Sequence, residues 1–448
     1  MRFSELEHAR VAILGMGREG QAVWHQLRRR FPGKSLSLFA ESDIDADILQ
    51  KLDPAIDDCH IGPLEVLSLK QFDVLVRSAG ISIYRQALKK LRLLDKQFTS
   101  ASNLWFAENP DAKTICISGT MGKSTTAALT SHLLTRAGVK TCLAGNIGKP
   151  MLDCENSDVD WWVIELSSYQ ISDLQAKPDI AIILNLSEEH VDWHCGAEQY
   201  AADKLKLAEL AFGGLIIANF ADPVLVEKLS GDRSVTWFNH EETWQARQNG
   251  VVGSNERNVS APAALPGEHN MQNLAAALTV VDVLGLEIKD LDKALASFTG
   301  LPHRMQFVGE KAGIRYVDDS ISTTPVSVAA ALQTLGYEDV VLLLGGMDRG
   351  LDWSGFAVDL SDRTPHAIIT LPDNGPKIFD CLKMAGIEPE GGLHAVARLV
   401  DAVALAQALV PVEGCILLSP GAPSFPYFQN FEDRGNQFKK YAGIEKST

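Results

Sequence analysis

The chain has no apolar run long enough to cross a bilayer: its longest uninterrupted hydrophobic stretches, such as Val340 to Leu344 and Ile180 to Leu184, fall far short of the ~20 residues a membrane helix needs. They read as buried strands, and no membrane insertion is expected. Paired cysteines are missing too. Seven cysteines, an odd number with no Cys-x-x-Cys spacing, make neither a disulfide framework nor a structural zinc site. A reducing compartment, the cytoplasm, is the expectation. Positive charge is in deficit, with 41 Lys and Arg against 57 Asp and Glu and a formal charge of −16. That balance argues against a nucleic-acid partner, because gripping a phosphate backbone takes clustered Lys and Arg. The opening Met-Arg-Phe-Ser-Glu-Leu-Glu-His-Ala-Arg mixes charge into its first turns and is not built like a cleavable secretion signal. No low-complexity tract and no repeat of solenoid or propeller period is legible.

What is present is an ordinary globular composition, 46% hydrophobic and 22% charged over 448 residues, too long for one core and sized for two or three domains. Strands are expected at Val11–Leu14, Ser35–Ala40 and Asp73–Arg77 around a helix Gln21–Arg30, a βαβ opening. A polar stretch dotted with aromatics, Thr99 to Asp111, precedes a second series of strands at Thr114–Ile117, Trp161–Glu165, Asp179–Leu186 and Leu215–Ala218. The region Pro266–Asn273 opens another helix. After a loop at Thr299–Arg304, a third series follows at Ile314–Asp318, Val340–Leu344, Ala367–Leu371 and Cys415–Leu418. The expected fold class is α/β, in three domains over residues 1–101, 102–301 and 302–448, each on a mostly parallel sheet. A monomer is the working expectation.

Gly15-Met16-Gly17-Arg18-Glu19-Gly20 lies between the first strand and helix, with Glu41 at the end of the next strand, close to the ~20-residue offset of a dinucleotide fingerprint. Taken alone, the pattern points to NAD and an NAD(P)-dependent oxidoreductase. Glycines that let the backbone approach a pyrophosphate serve UDP equally well, and tight strand–helix packing asks for them with no ligand at all. The stronger signal is Ser118-Gly119-Thr120-Met121-Gly122-Lys123-Ser124-Thr125, directly after a strand and opening a helix. Its backbone N–H groups can wrap β and γ phosphates, Lys123 adds a point charge, and the Ser124 hydroxyl can ligate Mg²⁺. The long form of such a loop has glycine where this chain has Ile117, so this is a shortened P-loop. It makes the middle domain P-loop ATPase-like, between Rossmann-like amino-terminal and carboxy-terminal domains. Glu165 and His190 stand at the ends of expected strands, where ligands gather in open α/β sheets. Each is a natural metal ligand, and each could equally be a solvated loop residue. Lys204 falls in line with Tyr200, Leu207, Ala208 and Ala211 at helical spacing, an apolar stripe where a free ammonium is costly unless it snorkels outward.

The short loop Gly119-Thr120-x-Gly122-Lys123-Ser124 resembles that of the Mur ligases. Other segments are similar to motifs of the same family: Gly145-Asn146-Ile147-Gly148, Glu165-Leu166-Ser167-Ser168-Tyr169-Gln170, Asn185 through His190 to Asp192, and Gln199-Tyr200 to Lys204. Gly267-Glu268-His269-Asn270 with Asn273, Leu301-Pro302-His303-Arg304 and Asp319-Ser320 continue the likeness to the last domain. The Glu165 segment and the ending Asn430-Phe431-Glu432-Asp433-Arg434-Gly435 look like the glutamate-adding branch.

This resemblance implies an ATP-dependent ligase of peptidoglycan precursor synthesis, joining glutamate to UDP-N-acetylmuramoyl-L-alanine through an acyl phosphate. It implies ATP on Gly119, Thr120, Met121, Gly122, Lys123, Ser124 and Thr125, with Asn270 and Asn273 toward the adenine and Arg304 and Asp319 carrying the last domain onto the nucleotide. A pair of Mg²⁺ ions is implied on Ser124, Glu165, His190 and Lys204, the lysine as a carbamate formed with CO₂. Lys123, Glu165, His190 and Lys204 are then the catalytic set. The UDP precursor is implied on Gly17, Arg18, Glu19, Gly20, Glu41, Ser42, Ser78, Gly80, Asn146, Ser167 and Ser168, and glutamate against Thr323, Arg349, Ser424 and Phe431. Asp319-Ser320 is followed by Ile321 where that branch usually has lysine, and Gly346-Met347-Asp348-Arg349 and Ser419 to Phe425 depart as well. Arginine grips a carboxylate bidentately, which lysine cannot copy. The departures look like the variant branch that adds L-glutamate. Neutral drift within a D-glutamate enzyme is the other reading.

Overall fold

The computed structural model describes residues 1–41, 52–53, 56–154, 158–187, 191–231, 235–254, 256–260, 262, 265 and 267–444. Ser42 and His190 therefore lie outside the described residues. The chain divides into two compact units, Met1–Ala261 with Glu268–Leu295, and Pro262–Gly267 with Ala296–Thr448.

The first unit carries two parallel sheets among its described residues. One is built from β1 (Val11–Leu14), β2 (Leu36–Ala40), β3 (Asp57–Ile61), β4 (Val74–Arg77) and β5 (Gln97–Ser100) in the order β3-β2-β1-β4-β5. Strand order reverses between β1 and β4, so the crevice at their carboxyl ends is a switch point of the kind where ligands bind. The other sheet comprises β6 (Thr114–Ser118), β7 (Thr141–Gly145), β8 (Trp161–Glu165), β9 (Ile180–Ile183), β10 (Leu215–Asn219) and β11 (Val235–Phe238), in the order β11-β10-β9-β6-β8-β7. β9 and β6 are buried along their whole length, as central parallel strands covered on both faces must be. A small antiparallel sheet of β12 (Gln245–Arg247), β13 (Gly250–Val252) and β14 (Asn258–Ser260) packs on the helix Glu268–Val283.

The second unit holds one sheet among its described residues, made from β15 (Gln306–Lys311), β16 (Ile314–Asp318), β17 (Val340–Leu344), β18 (Ala367–Thr370), β19 (Leu393–Ala395) and β20 (Cys415–Leu418). Its order is β15-β16-β20-β17-β18-β19, parallel except for the antiparallel hairpin of β15 with β16. The carboxyl ends of β16, β20 and β17 are adjacent, so the loops that follow them start side by side.

Val11–Leu14, Trp161–Glu165, Ile314–Asp318, Val340–Leu344 and Cys415–Leu418 are strands over the residues expected, whereas the run Asp179–Leu186 forms a shorter one, Ile180–Ile183. Asp57–Ile61 escaped the sequence reading because it is an edge strand with only Asp57 buried, and so shows no apolar signature. The stretch Thr99 to Asp111 contains the end of β5 and a helix, Ala101–Glu108. Its cap is Ser100, whose hydroxyl accepts the Asn103 N–H at 3.2 Å, the usual satisfaction of an orphan helix donor. Among the described residues no helix is long and apolar enough to cross a membrane.

Candidate active site

Beyond β6 the chain turns through Gly119 and Gly122 into the helix Lys123–Arg136. Gly122 has φ +82°, a left-handed conformation that favours glycine, and a Cβ there would collide with the side-chain oxygen of Asn273. Asn185, just past β9, braces the loop. The Thr120 N–H donates to its carbonyl at 2.9 Å, the Met121 N–H to its Oδ1 at 2.8 Å, and its Nδ2 donates to the Met121 carbonyl at 3.1 Å. The Thr120 hydroxyl accepts the Ser187 N–H at 3.0 Å and lies 3.0 Å from the Tyr200 hydroxyl. Asn270 and Asn273 meet the loop from the helix Glu268–Val283: Asn273 Oδ1 accepts from the Thr126 hydroxyl at 3.1 Å, and its Nδ2 donates to Asn270 Oδ1 at 3.1 Å. Ser124 and Thr125 are half-buried in the first helical turn, while Met121 is exposed.

Two lysines lie on the carbonyls of this loop. Lys123 Nζ donates to the Thr120 carbonyl at 2.8 Å, and Lys204 Nζ to the Gly119 carbonyl at 2.6 Å. Lys204 is 2% exposed, with its ammonium 4.8 Å from the centre of the Tyr200 ring. Tyr200, Leu207, Ala208 and Ala211 are buried as well, so the lysine does occupy the apolar stripe and does not snorkel.

Glu165 closes β8 and is buried. Its Oε1 accepts from Asn146 Nδ2 at 2.7 Å, whereas Oε2 is buried without a hydrogen-bond partner among the described residues. Leaving a buried acceptor unmatched costs about 1–3 kcal/mol, and a hard divalent cation is the group that best satisfies carboxylate oxygen. Glu165 and the Ser124 hydroxyl are oxygen donors suited to Mg²⁺; His190 lies outside the described residues.

On the amino-terminal side, Gly20 packs so closely on Gly15 that a Cβ would strike its carbonyl oxygen, and the Ser78 hydroxyl donates to that carbonyl at 2.6 Å. Gly17 and Gly80 face open space. Arg18 donates to the carbonyls of Asn146 at 3.0 Å and Gly148 at 3.3 Å. Glu19 accepts from the Ala79 N–H at 3.1 Å and from Gln170 Nε2 at 2.7 Å. Glu41 is ion-paired with Arg85. The glycine turn of the first sheet is therefore stitched to the central sheet through Arg18 and Glu19. Ser167 caps the short helix Ser168–Ile171 and forms a capping box with Gln170; Ser168 is buried and bonded to His194.

Sequence reasoning missed several residues here. Arg77 is 1% exposed, ion-pairs with Asp173 at 2.6 Å, and donates to the carbonyls of Ser78, Ala79, Ile81 and Tyr169. Its signal was an arginine closing the apolar run Val74-Leu75-Val76. Half-buried Tyr84 and Trp193 and buried His194 and Asp203 join it in one cluster, and nothing in their spacing announces this.

In the second unit, Asp319 is almost fully buried; its Oδ1 accepts from the Met305 N–H at 3.0 Å, and its Oδ2 from the hydroxyls of Ser419, at 2.7 Å, and Ser322. Burial pushes its carboxyl up to about 6 against those donors and Arg304. Arg304 and Arg349 are exposed, Thr323 is half-buried and Ser424 is buried. Ser320 links two of the loops, its hydroxyl donating to the Phe431 carbonyl at 2.8 Å and accepting from Arg434 Nε at 3.0 Å. Arg434 is fully buried, donates from Nη2 to the carbonyls of Ser320 and Ala422, and leaves Nη1 without a partner among the described residues. Burial lowers it to about 10. Thr323 thus lies on the loop after β16, Arg349 on the loop after β17, and Ser424 on the loop after β20, with Phe431 opening the helix to which that loop leads.

The parallel sheets and the short glycine loop ahead of a helix define a nucleotide-binding α/β protein with a P-loop-like cradle. Residues 117–281 match the family model of the Mur ligase middle domain, and residues 303–421 that of the Mur ligase, glutamate ligase domain. A UDP-N-acetylmuramoyl-L-alanine--L-glutamate ligase from Xanthomonas oryzae pv. oryzae is 41% identical to the chain, covering 99% of it and 97% of the relative. One of the same name from Salinispora tropica is 35% identical over 98% of each. The chain belongs to the Mur ligase family. Among solved structures, the UDP-N-acetylmuramate-alanine ligase MurC of Thermotoga maritima superposes with a TM-score of 0.61 at 18% identity, covering 98% of this chain and 100% of that one. MurF of Acinetobacter baumannii gives 0.61 at 18%, covering 97% and 92%. At such identity these two speak for the fold alone.

Proposed function

We propose that the chain is an ATP-dependent ligase that joins L-glutamate to UDP-N-acetylmuramoyl-L-alanine in the cytoplasm. The observation that carries the reading is the nucleotide loop beside the unpartnered Glu165 oxygen, in a chain whose relatives at about 40% identity carry that ligase name over their full length. ATP lies along Gly119 to Thr125, with Asn270 and Asn273 toward the adenine. The UDP-linked acceptor lies on the switch point of the first sheet, at Gly17, Arg18, Gly20, Ser78 and Gly80, and reaches Asn146 and Ser167 at the central one. On the second unit, Thr323, Arg349, Ser424 and Phe431 receive glutamate, and Arg304 and Asp319 serve the nucleotide.

The alanine carboxylate attacks the terminal phosphorus of ATP, giving ADP and an acyl phosphate. The glutamate amine then attacks the acyl carbon, and the tetrahedral species expels phosphate as the new amide forms. Neither step asks the protein for a covalent partner. Its work is alignment and charge neutralisation. Lys123 swings its ammonium from the Thr120 carbonyl to the phosphates, and the loop N–H groups bind the transferred group. Ser124, Glu165, His190 and Lys204 as its carbamate would hold a pair of Mg²⁺ ions, which neutralise phosphate charge when bound. A bidentate guanidinium at Arg349 suits a glutamate carboxylate; the L isomer is read from the departures at Arg349 and Ile321 together with the relatives' names, UDP-N-acetylmuramoyl-L-alanine--L-glutamate ligase.

The test is amide formation from ATP, Mg²⁺, UDP-N-acetylmuramoyl-L-alanine and each glutamate isomer in parallel. L-Glutamate should give ADP, phosphate and amide together. A clear D preference would end the stereochemical reading; no amide with either isomer would end the ligase reading.

A further inference from the structure

Asp203 and Lys204 are neighbours on the helix Ala197–Leu210, and both are buried. Lys204 reaches the nucleotide loop; Asp203 reaches the opposite way. Its carboxylate accepts from the Tyr84 hydroxyl at 2.7 and 2.9 Å, from Gln199 Nε2 at 3.1 Å, and from His194 Nδ1 at 2.6 Å. The imidazole of His194 is fully buried, and its Nε2 is 3.0 Å from the Ser168 hydroxyl. A carboxylate only accepts, so Nδ1 carries the proton of the His194–Asp203 bond. An unbroken chain of hydrogen bonds thus runs from Tyr84 through Asp203 and His194 to Ser168.

The two ends of that chain lie on the two walls of the acceptor site. Tyr84 follows the Ser78 to Ser82 turn beyond β4, and Ser168 follows Ser167 beyond β8. Trp193, next to His194, ties the same walls a second time: it stacks on Tyr169 at 4.3 Å and 16°, its Nε1 donates to the Gly80 carbonyl at 3.2 Å, and its carbonyl accepts from Ser82 at 2.6 Å. Apolar side chains would join two elements at lower desolvation cost. What a chain of hydrogen bonds adds is a fixed spacing and orientation.

We propose that Asp203 and His194 are positioning residues for the acceptor, setting the distance between the Gly80 turn and the Ser167 turn so that the acceptor carboxylate meets ATP in line. The inference rests on the ligase reading and refines its acceptor site. Neither residue touches the reacting atoms, and their loss acts on acceptor binding rather than on nucleotide binding.

The experiment uses the full chain with Asp203→Asn, His194→Gln and the near-isosteric Tyr84→Phe. Steady-state kinetics are run with the acceptor and ATP varied separately, and acceptor binding is measured by calorimetry without ATP. Asp203→Asn replaces the charged acceptor of the Nδ1 proton and of the Tyr84 hydroxyl by a neutral amide; we expect the acceptor KM and Kd to rise about tenfold or more while the ATP KM moves less than about twofold. Tyr84→Phe, which removes one donor and keeps the ring, should give a smaller rise of the same kind. Equal shifts in both KM values, or folded variants with the acceptor KM of the wild type, would overturn the positioning role while leaving the ligase standing. A wild-type chain that neither binds the acceptor nor forms amide would overturn both.

Discussion

Lys204 is a lysine with almost no access to water; its Nζ donates to the Gly119 carbonyl and lies over the face of Tyr200. Desolvation disfavours an ammonium and favours the free amine, which is the form that adds CO₂. Lys204→Ala is therefore expected to lower turnover by about a thousandfold or more, with partial recovery when a short carboxylate is supplied together with bicarbonate. The check is ADP release at saturating substrates; a variant as active as the wild type would remove the carbamate. Asp319 makes a second prediction. Its folded-state carboxyl stands at about 6 against 3.8 for the free group, raised chiefly by burial. A raised acid is protonated more readily when folded, so its stabilising contribution is complete at low pH and is lost as pH climbs from about 4 to above 6. A displacement of about two units corresponds to ~3 kcal/mol. Urea midpoints should fall between about pH 4 and 6.5 in the wild type, and the fall should be smaller in Asp319→Asn; parallel curves would contradict the assignment.

At the scale of elements, the glycine loop is the part on which site geometry turns. Gly122→Ala places a side chain in left-handed backbone and against Asn273, which costs on the order of 1–3 kcal/mol. Relief comes from pulling the helix Glu268–Val283 away from the loop. ATP affinity should drop by roughly ten- to a hundredfold, read by equilibrium binding, with far-ultraviolet dichroism unchanged. Unaltered affinity would show that the loop tolerates the shift. The same loop explains what could be read in advance. Thr114–Ser118, Gly119 and Lys123 stand in one contiguous stretch whose chemistry is local, as does the Val340–Leu344 strand, whose burial is written as an unbroken apolar run. Arg77, His194 and Asp203 were not legible, because their partners lie at sequence separations of up to 119 residues and each is an ordinary polar residue until the fold supplies its neighbour. Strand Asp57–Ile61 was missed for the opposite reason, having a sheet edge's polarity and no periodic signature.

At the scale of the whole molecule, two compact units with separate cores should unfold in more than one calorimetric step. Nucleotide binding without an acceptor acts on the unit that carries the loop. With MgATP about a hundredfold above its Kd, that unit should gain about 2.7 kcal/mol, moving one transition upward. A thermogram indifferent to MgATP would speak against the nucleotide site as drawn.

Trp193 lies flat on Tyr169 with the Arg77 guanidinium 5.8 Å from its ring centre, and it bonds to the Gly80 and Ser82 side of the neighbouring turn. An indole so placed is an optical gauge already installed in the enzyme. If the acceptor docks on the Gly80 and Ser167 turns as proposed, the emission that disappears in Trp193→Phe should change on its addition, with no dye attached.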